Sequence, residues 1–487
     1  MYKSLAYATF LLGISVPSQA LTLQKYLSFV SDNHPEILAL DATTGQYGAD
    51  IQYADGAYDA KLDHNSFSRV AGYYDGLQAS QKFSKPLEAY NAEIFSEYRI
   101  SHGDFPVYEQ EYATLSGGEA SLGVKLSLLK GRNTDKNRTA MASARLKYKM
   151  WSEEAKLAQS EFYYSAILAY LDWVESVSYY KKIEQLVEAG VNRQDGIKRR
   201  VAEGDIAEIE LLEFETRLLE RQVTLLSAER KVQANIQKLR YYMHSNASLN
   251  DIQNAPSSDA TNMTWPIAFK NVVHAEVSSN HPALAAKAYE MQELKQKMRL
   301  ATVDLLPKLD VEAKLARDIG SGPTSLQDTE AKIGLYFSMP FERSQAKAKK
   351  SRTQFEINAL EQKTNALQQS IDAKLQERLI NLTYARRLHN MQKKQVVLSR
   401  QLFEREQRQF EFGSSDFFML NNREVDAFQA DLKALTARIN VFREELAIMK
   451  LNAQLDHEFI QNTLTSEHSF SGNSYVEPSE KIFTEDP

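Results

Sequence analysis

Four carboxylates crowd one short stretch of the chain: Asp205, Glu208, Glu210 and Glu213 all follow Gly204 within nine positions. Acids this close repel anions and favour cations; an ordinary solvated helix face accounts for them as well. Two basic clusters are the other concentrated charge. Lys130, Arg132, Lys136 and Arg138 form the first, and Arg343, Lys347, Lys349, Lys350 and Arg352 the second. Each stands where a long run of helical spacing begins. Positive charge there opposes the helix dipole, so helix stability does not explain it. Bond-making chemistry finds no support. The nine histidines are scattered, with no H-E-x-x-H and no paired metal spacing. G-x-S-x-G, P-loop and G-x-G-x-x-G patterns are absent. The chain therefore reads as a non-enzyme with no cofactor, and His34 and His281, each before a proline, read as structural.

These residues lie in a chain that repeats itself. Asn33-His34-Pro35 returns 247 positions later as Asn280-His281-Pro282. Leu122-Gly123-Val124 with Arg132 returns 211 positions later as Ile333-Gly334-Leu335 with Arg343. Arg199, Gly204 and Leu211 return 209 positions later as Arg408, Gly413 and Leu420. One long unit used twice implies a pseudo-symmetric fold rather than a solenoid of many short units.

The 487 residues, 25% charged and 43% hydrophobic, are ordinary for a folded protein, and a net charge of −6 gives no general pull toward nucleic acid. Residues 1–20 read as a secretory signal: Lys3, an apolar core from Leu5 to Val16, and Ser18-Gln19-Ala20 before a cut ahead of Leu21. Cysteine is absent, which removes disulfides and an acylated N-terminal cysteine. No later segment is apolar for the ~18 residues of a transmembrane helix.

Glycine and proline bound the helical runs. Phe341 to Phe412 contains neither and, at ~1.5 Å per residue, allows a helix of roughly 100 Å. Arg132 to Ala189 and Asp205 to Ala255 are equally free of breakers. Within them Leu211, Leu212, Leu218, Leu219 and Val223, and Leu375, Leu379 and Leu382, fall on helical stripes. Ordinary core stripes of a bundle explain that spacing too; the length favours an extended array.

Before each long helical run the period changes to two. Leu309 to Leu315 and Ala331 to Met339 alternate around a loop from Asp318 to Ser325, and Leu62 to Val70 and Ala120 to Leu128 match them in the first half. Such strands suit a membrane barrel or a soluble sandwich. The first half is longer by 36 residues, roughly within Gly72–Gly118, rich in Tyr and Phe, where Ile94 to Ile100 reads as one added strand. The predicted organisation is a signal at 1–20, a first repeat at 21–245 (strands about 61–128, helices about 132–245), a linker at 246–264, a second repeat at 265–456 (strands about 309–340, helices about 341–456) and a polar, poorly ordered tail at 457–487.

On the Asn-His-Pro pairs, on Leu128-Leu129-Lys130-Gly131-Arg132 and Met339-Pro340-Phe341-Glu342-Arg343 at the strand-to-helix junctions, and on the two glycine turns, the chain from Leu21 to Leu455 resembles the TolC family of outer-membrane efflux and secretion channels. The resemblance implies a mixed α and β fold. Three protomers would each give four strands to one 12-stranded membrane β-barrel, continuous with a periplasmic α-helical barrel. It implies a passive exit duct in the cell outer membrane, serving a tripartite efflux pump or type I secretion system. The implied partners are two further copies, a periplasmic adaptor, an inner-membrane ABC, RND or similar transporter, and outer-membrane lipid, with no nucleic acid. A periplasmic coiled-coil scaffold or adaptor-like protein without a pore is the alternative.

The same resemblance places the adaptor at the helix turns, Ala202, Glu203, Gly204 and Asp205 in one copy and Phe412, Gly413 and Ser414 in the other. A helix C-cap is the plainer role for these glycines. Some relatives narrow the tip with acids six and nine residues after the second glycine; this chain has Met419 and Asn422 there, and Glu210 and Glu213 at those offsets after Gly204. An electrostatic constriction would therefore fall on Glu208, Glu210 and Glu213. Lys130, Arg132, Arg343, Lys347, Lys349 and Lys350 are expected to meet lipid phosphates or line the lumen, against solvated faces as the alternative.

Overall fold

A computed structural model describes residues 21–30, 34–243, 281–456 and 458–460. The expected signal at 1–20, the linker at 246–264, Asn33, Asn280 and all of the tail but 458–460 lie outside them. Those three tail residues are helical, and Ile460 is buried. The chain divides into two units, one of Met1–Leu38, Lys156–Ser279 and Ile371–Pro487, the other of Ala39–Ala155 and Asn280–Ser370. The long helices α3 (Lys136–Ala202) and α6 (Ser344–Glu411) contribute residues to both.

The second unit holds one antiparallel sheet whose strands lie in chain order: β1 (Lys61–Ser68), β2 (Leu77–Leu87), β3 (Ala92–His102), β4 (Glu119–Ser127), β5 (Lys308–Asp318) and β6 (Thr329–Ser338). The two halves of the repeat meet where β4 pairs with β5, Leu122 opposite Leu315. The sheet corrects two expectations. Four strands per chain were implied and six are present among the described residues. The aromatic insert supplies two of them, β2 and β3, where one was expected. Parity explains this. In an antiparallel sheet one extra strand would reverse the direction of β4 and carry α3 to the wrong end, whereas a hairpin restores it. β2 lacks a clean alternation, because Gln81 and Lys85 interrupt its apolar positions.

Helix α2 (Pro35–Asp55), most of which lies in this unit, packs Ala54 against Met141 and Ala144 of α3. Its counterpart α5 (Pro282–Val303) packs Leu294 against Ile357 and Leu360 of α6. The duplicated Asn-His-Pro element has a shared structural use. Nδ1 of His34 accepts the N–H of Glu36 (3.2 Å), and Nδ1 of His281 accepts that of Ala283 (3.1 Å). Both imidazoles satisfy a free N–H at a helix start, with proline at the first helical position, where its missing N–H costs nothing.

The first unit holds α1 (Leu23–Val30), most of α3, α4 (Glu208–Met243), most of α6, and α7 (Phe417–Leu451). Its core around α1 is aromatic. Tyr26 stacks on Tyr170 at 5.4 Å and donates to the carbonyl of Ala166, Tyr170 donates to the carbonyl of Leu21, and Trp173 is fully buried beside them. The stripe Leu375, Leu379 and Leu382 meets Val441, Ile448 and Leu451 of α7, as its spacing predicts. On α4 the expected stripe splits. Phe214 and Leu218 are buried, while Ile209, Leu212, Leu219, Val223 and Leu226 point to solvent.

Candidate functional site

Strand register sorts the sheet into two chemically distinct faces. One carries Leu62, Phe83, Ile94, Ile100, Leu122, Val124, Leu315, Ile333, Leu335 and Phe337. Most of these stay exposed in the single chain. The other face carries charge in interlocked pairs. Arg99 bridges Glu119 at 2.8 Å, Lys314 reaches Glu119 at 3.2 Å and Glu97 at 3.8 Å, and Lys82 reaches Glu93 at 3.4 Å. Apolar-out, polar-in alternation over strands of this length is the pattern of a membrane barrel wall. A soluble sandwich would instead cover the apolar face with a second sheet, and among the described residues every strand belongs to this one sheet.

At the junctions the basic residues find partners the sequence did not reveal. Lys130 and Lys349 converge on Asp304, at 3.1 and 2.8 Å. Desolvation pushes the Asp304 carboxyl up, but the hydrogen bonds from Lys349 and Lys130 outweigh it and hold it below the usual carboxylate range. Arg343, with its backbone at positive φ, donates to the carbonyl of Leu305 at 3.3 Å, and Arg132 lies over the Tyr90 ring at 5.7 Å. Asp135 accepts the N–H groups of Asn137 and Arg138 at 2.8 and 2.9 Å, capping α3 and answering the dipole conflict. Of the six basic candidates, Lys347 and Lys350 alone are exposed without a partner among the described residues.

The two glycine turns are near-duplicates. Gly204 and Gly413 sit at φ +78° and +73°. Gly204 N–H bonds to the Val201 carbonyl (3.0 Å) and Asp205 N–H to that of Arg200 (2.8 Å); Gly413 N–H bonds to Phe410 (3.1 Å) and Ser414 N–H to Gln409 (2.9 Å). Both are Schellman C-caps, which need the left-handed conformation that glycine adopts freely. A Cβ at either glycine would meet nothing within 4 Å, so conformation and not space selects glycine, and both tips are open.

The copies differ at the start of the next helix. Asp416 caps α7, accepting Met419 N–H at 2.7 Å, whereas Ala207 at the equivalent place has no side chain to cap α4. Glu208 and Glu210 in the first turn of α4 instead compensate the dipole. That gives the acidic cluster a local structural role. Glu208 and Glu213 are exposed and Glu210 half-exposed, and none has an ion-pair partner among the described residues, while Asp205 is bound to Arg200 at 3.2 Å. Met419 is exposed and Asn422 half-buried.

Sequence reasoning missed the charge network behind these turns. Arg221 of α4 donates to Asn421 (2.6 Å) and Glu424 (3.0 Å) of α7, and Glu424 also takes Arg193 of α3 at 2.7 Å. Asp431 is held by Lys182 at 3.0 Å and Arg400 at 2.8 Å. No short-range signal announces pairs such as Arg221–Glu424 and Lys182–Asp431, 203 and 249 positions apart. Among the described residues no cluster of His, Asp or Glu is placed to hold a metal ion, and no helix is long and apolar enough to cross a membrane.

Residues 274–454 match the family model of outer membrane efflux proteins. The fold over nearly the whole chain is that of solved channels of the TolC family. The open state of the Neisseria gonorrhoeae MtrE outer membrane channel is similar at TM-score 0.65 and 12% identity, covering 90% of each chain. The Campylobacter jejuni CmeC outer membrane channel is similar at 0.61 and 11%, covering 93% of this chain and 94% of its own. The Vibrio cholerae outer membrane protein VceC is similar at 0.64 and 11%, covering 88% and 95%. No curated protein sequence is significantly similar to the chain.

Proposed function

We propose that this chain is one subunit of a trimeric outer-membrane channel, whose sheet forms part of a membrane barrel and whose long helices form a periplasmic barrel. It would serve as the passive exit duct of an efflux pump or type I secretion system, with an inner-membrane transporter supplying energy through an adaptor. The observation that carries this reading is the two-faced sheet: an exposed apolar face backed by a polar, ion-paired one. An edge left open in lipid would strand backbone N–H and C=O groups, so copies must complete the wall. The helices support assembly independently. Ile209, Leu212, Leu219, Val223 and Leu226 on α4, and Tyr384, Leu388, Met391, Leu398 and Leu402 on α6, are exposed at three-, four- and seven-residue steps, with polar Thr216 and Gln395 inside the seven-residue steps, a coiled-coil seam without a partner in the single chain.

By the same resemblance, the adaptor docks at Ala202–Asp205 and Phe412–Ser414, and the open surroundings of both glycines support that use. Glu208, Glu210 and Glu213, multiplied by three, would line a cation-favouring constriction, with Met419 and Asn422 as its uncharged counterpart. Lys347 and Lys350 remain the best candidates for head-group contact. Charge reversal at both is expected to weaken membrane assembly; unchanged assembly would remove that role. The test of the whole reading is fractionation of cells expressing the chain. Recovery from outer membranes as a heat-modifiable, detergent-resistant trimer is expected, and recovery as a soluble monomer would favour the coiled-coil scaffold.

A further inference from the structure

We propose that the β2–β3 hairpin is itself membrane-spanning wall, so that three copies of the chain close an eighteen-stranded barrel, each joined to the next between β1 and β6. The number rests on the trimeric membrane reading above; the role of the hairpin rests on the sheet alone.

The hairpin lies inside the sheet and not at its margin. β1 pairs with β2 along its whole length, from Lys61 opposite Ser84 to Ser68 opposite Leu77, and β3 carries the pairing on to β4. A wall without the hairpin would have to break every β1–β2 bond. The hairpin also continues both faces of the sheet. Ala79, Phe83, Ile94, Tyr98 and Ile100 extend the apolar face, while Ser80, Ser84, Glu97 and Arg99 extend the polar one.

Side chains lock it to its neighbours. The Phe95 ring covers Gly123 of β4 so closely that a Cβ there would lie 2.3 Å from it, and Lys82 sits over the same ring at 4.6 Å. An aromatic laid over a cross-strand glycine is a known stabilising device of curved sheets. The Arg99–Glu119 and Lys314–Glu97 bridges join β3 to β4 and β5. With eleven residues each, β2 and β3 have the ~9–11 that a tilted strand needs to cross a bilayer.

Closure follows from direction. Six alternating strands leave β1 and β6 antiparallel to one another at opposite edges, so the same β1–β6 contact, repeated head to tail, forms a ring. With strands ~4.8 Å apart and tilted ~40°, eighteen strands make a backbone cylinder about 36 Å across, against about 24 Å for twelve. The duct would thus have an outer mouth about half as wide again.

The chain contains no cysteine, so single introduced cysteines report unambiguously. In the full-length protein reconstituted in phosphatidylethanolamine–phosphatidylglycerol vesicles, A79C, I94C and I100C would be compared with S80C, S84C and S101C. L122C and I333C against S121C and K332C serve as the reference strands. Readouts are labelling by a water-soluble maleimide and quenching of an attached fluorophore by nitroxide-bearing lipid. The expected result is strict alternation in β2 and β3, equal to that in β4 and β6, with aqueous labelling at least tenfold slower on the apolar face. Alternation in β4 and β6 with aqueous labelling on both faces of β2 and β3 would overturn the proposal and leave the channel reading standing. Loss of alternation in all strands would overturn both. Amine cross-linking of the same preparation is expected to end at three copies; an end point of two or four would overturn the count of eighteen.

Discussion

At the residue scale the strongest commitments are conformational and electrostatic. Gly204 and Gly413 hold left-handed φ in Schellman caps with open space around them, so G204A and G413A are each expected to lower stability by about 1 kcal/mol, read from urea or thermal melts. No steric defect should accompany them. Glu424 is buried and Arg221 partly buried, and R221A leaves Glu424 with Arg193 alone; a loss on the order of 2–3 kcal/mol is expected by the same melts. Asp304 sets a pH signature. Its folded-state carboxyl lies below its ordinary value of 3.8, so its stabilising effect is complete above that value and is lost as pH falls through the depressed range. D304N is therefore expected to melt below the unsubstituted protein at pH 7, with the difference shrinking below about pH 3.8. A difference independent of pH would mean that Asp304 acts through packing. The glycines and the two histidines were legible in the sequence because each satisfies its helix end within a few residues. Asp304 and the Arg221–Glu424 pair were not, because their partners come from elements distant in the sequence.

At the element scale the helices were more legible than the strands. Breaker-free runs announced α3, α4 and α6. Periodicity did not say which stripe would be buried, and on α4 it split into a core face and a solvent face. That split yields a paired prediction. L218D should unfold or strongly destabilise the protein, since Leu218 is buried with Ile197 and Phe214. L219D should leave the fold intact by circular dichroism and abolish the oligomer, since Leu219 is exposed in the seam. Equal effects from both would contradict a helical interface between copies. Among the strands, β4, β5 and β6 showed clean alternation. β2 did not, because Gln81 and Lys85 share the register positions of Ala79 and Phe83. The chain's need to return to the same end of the sheet, rather than any local pattern, required the second inserted strand.

At the scale of the whole molecule, duplication was the most legible property and stoichiometry the least. The repeat told of two similar halves, and the structure shows them sharing one sheet, joined where β4 lies beside β5. The number of strands depended on the insert, whose aromatic richness alone did not distinguish a surface loop from wall. The central claim is that the apolar face of the six-stranded sheet meets lipid in a closed barrel completed by other copies. Electron cryomicroscopy of the assembly extracted from outer membranes tests it most directly. The account predicts three copies in a ring, a detergent belt around the apolar face, and six strands from each copy in one continuous barrel. A particle in which that face packs against protein, or in which β1 and β6 stay unpaired, would contradict it.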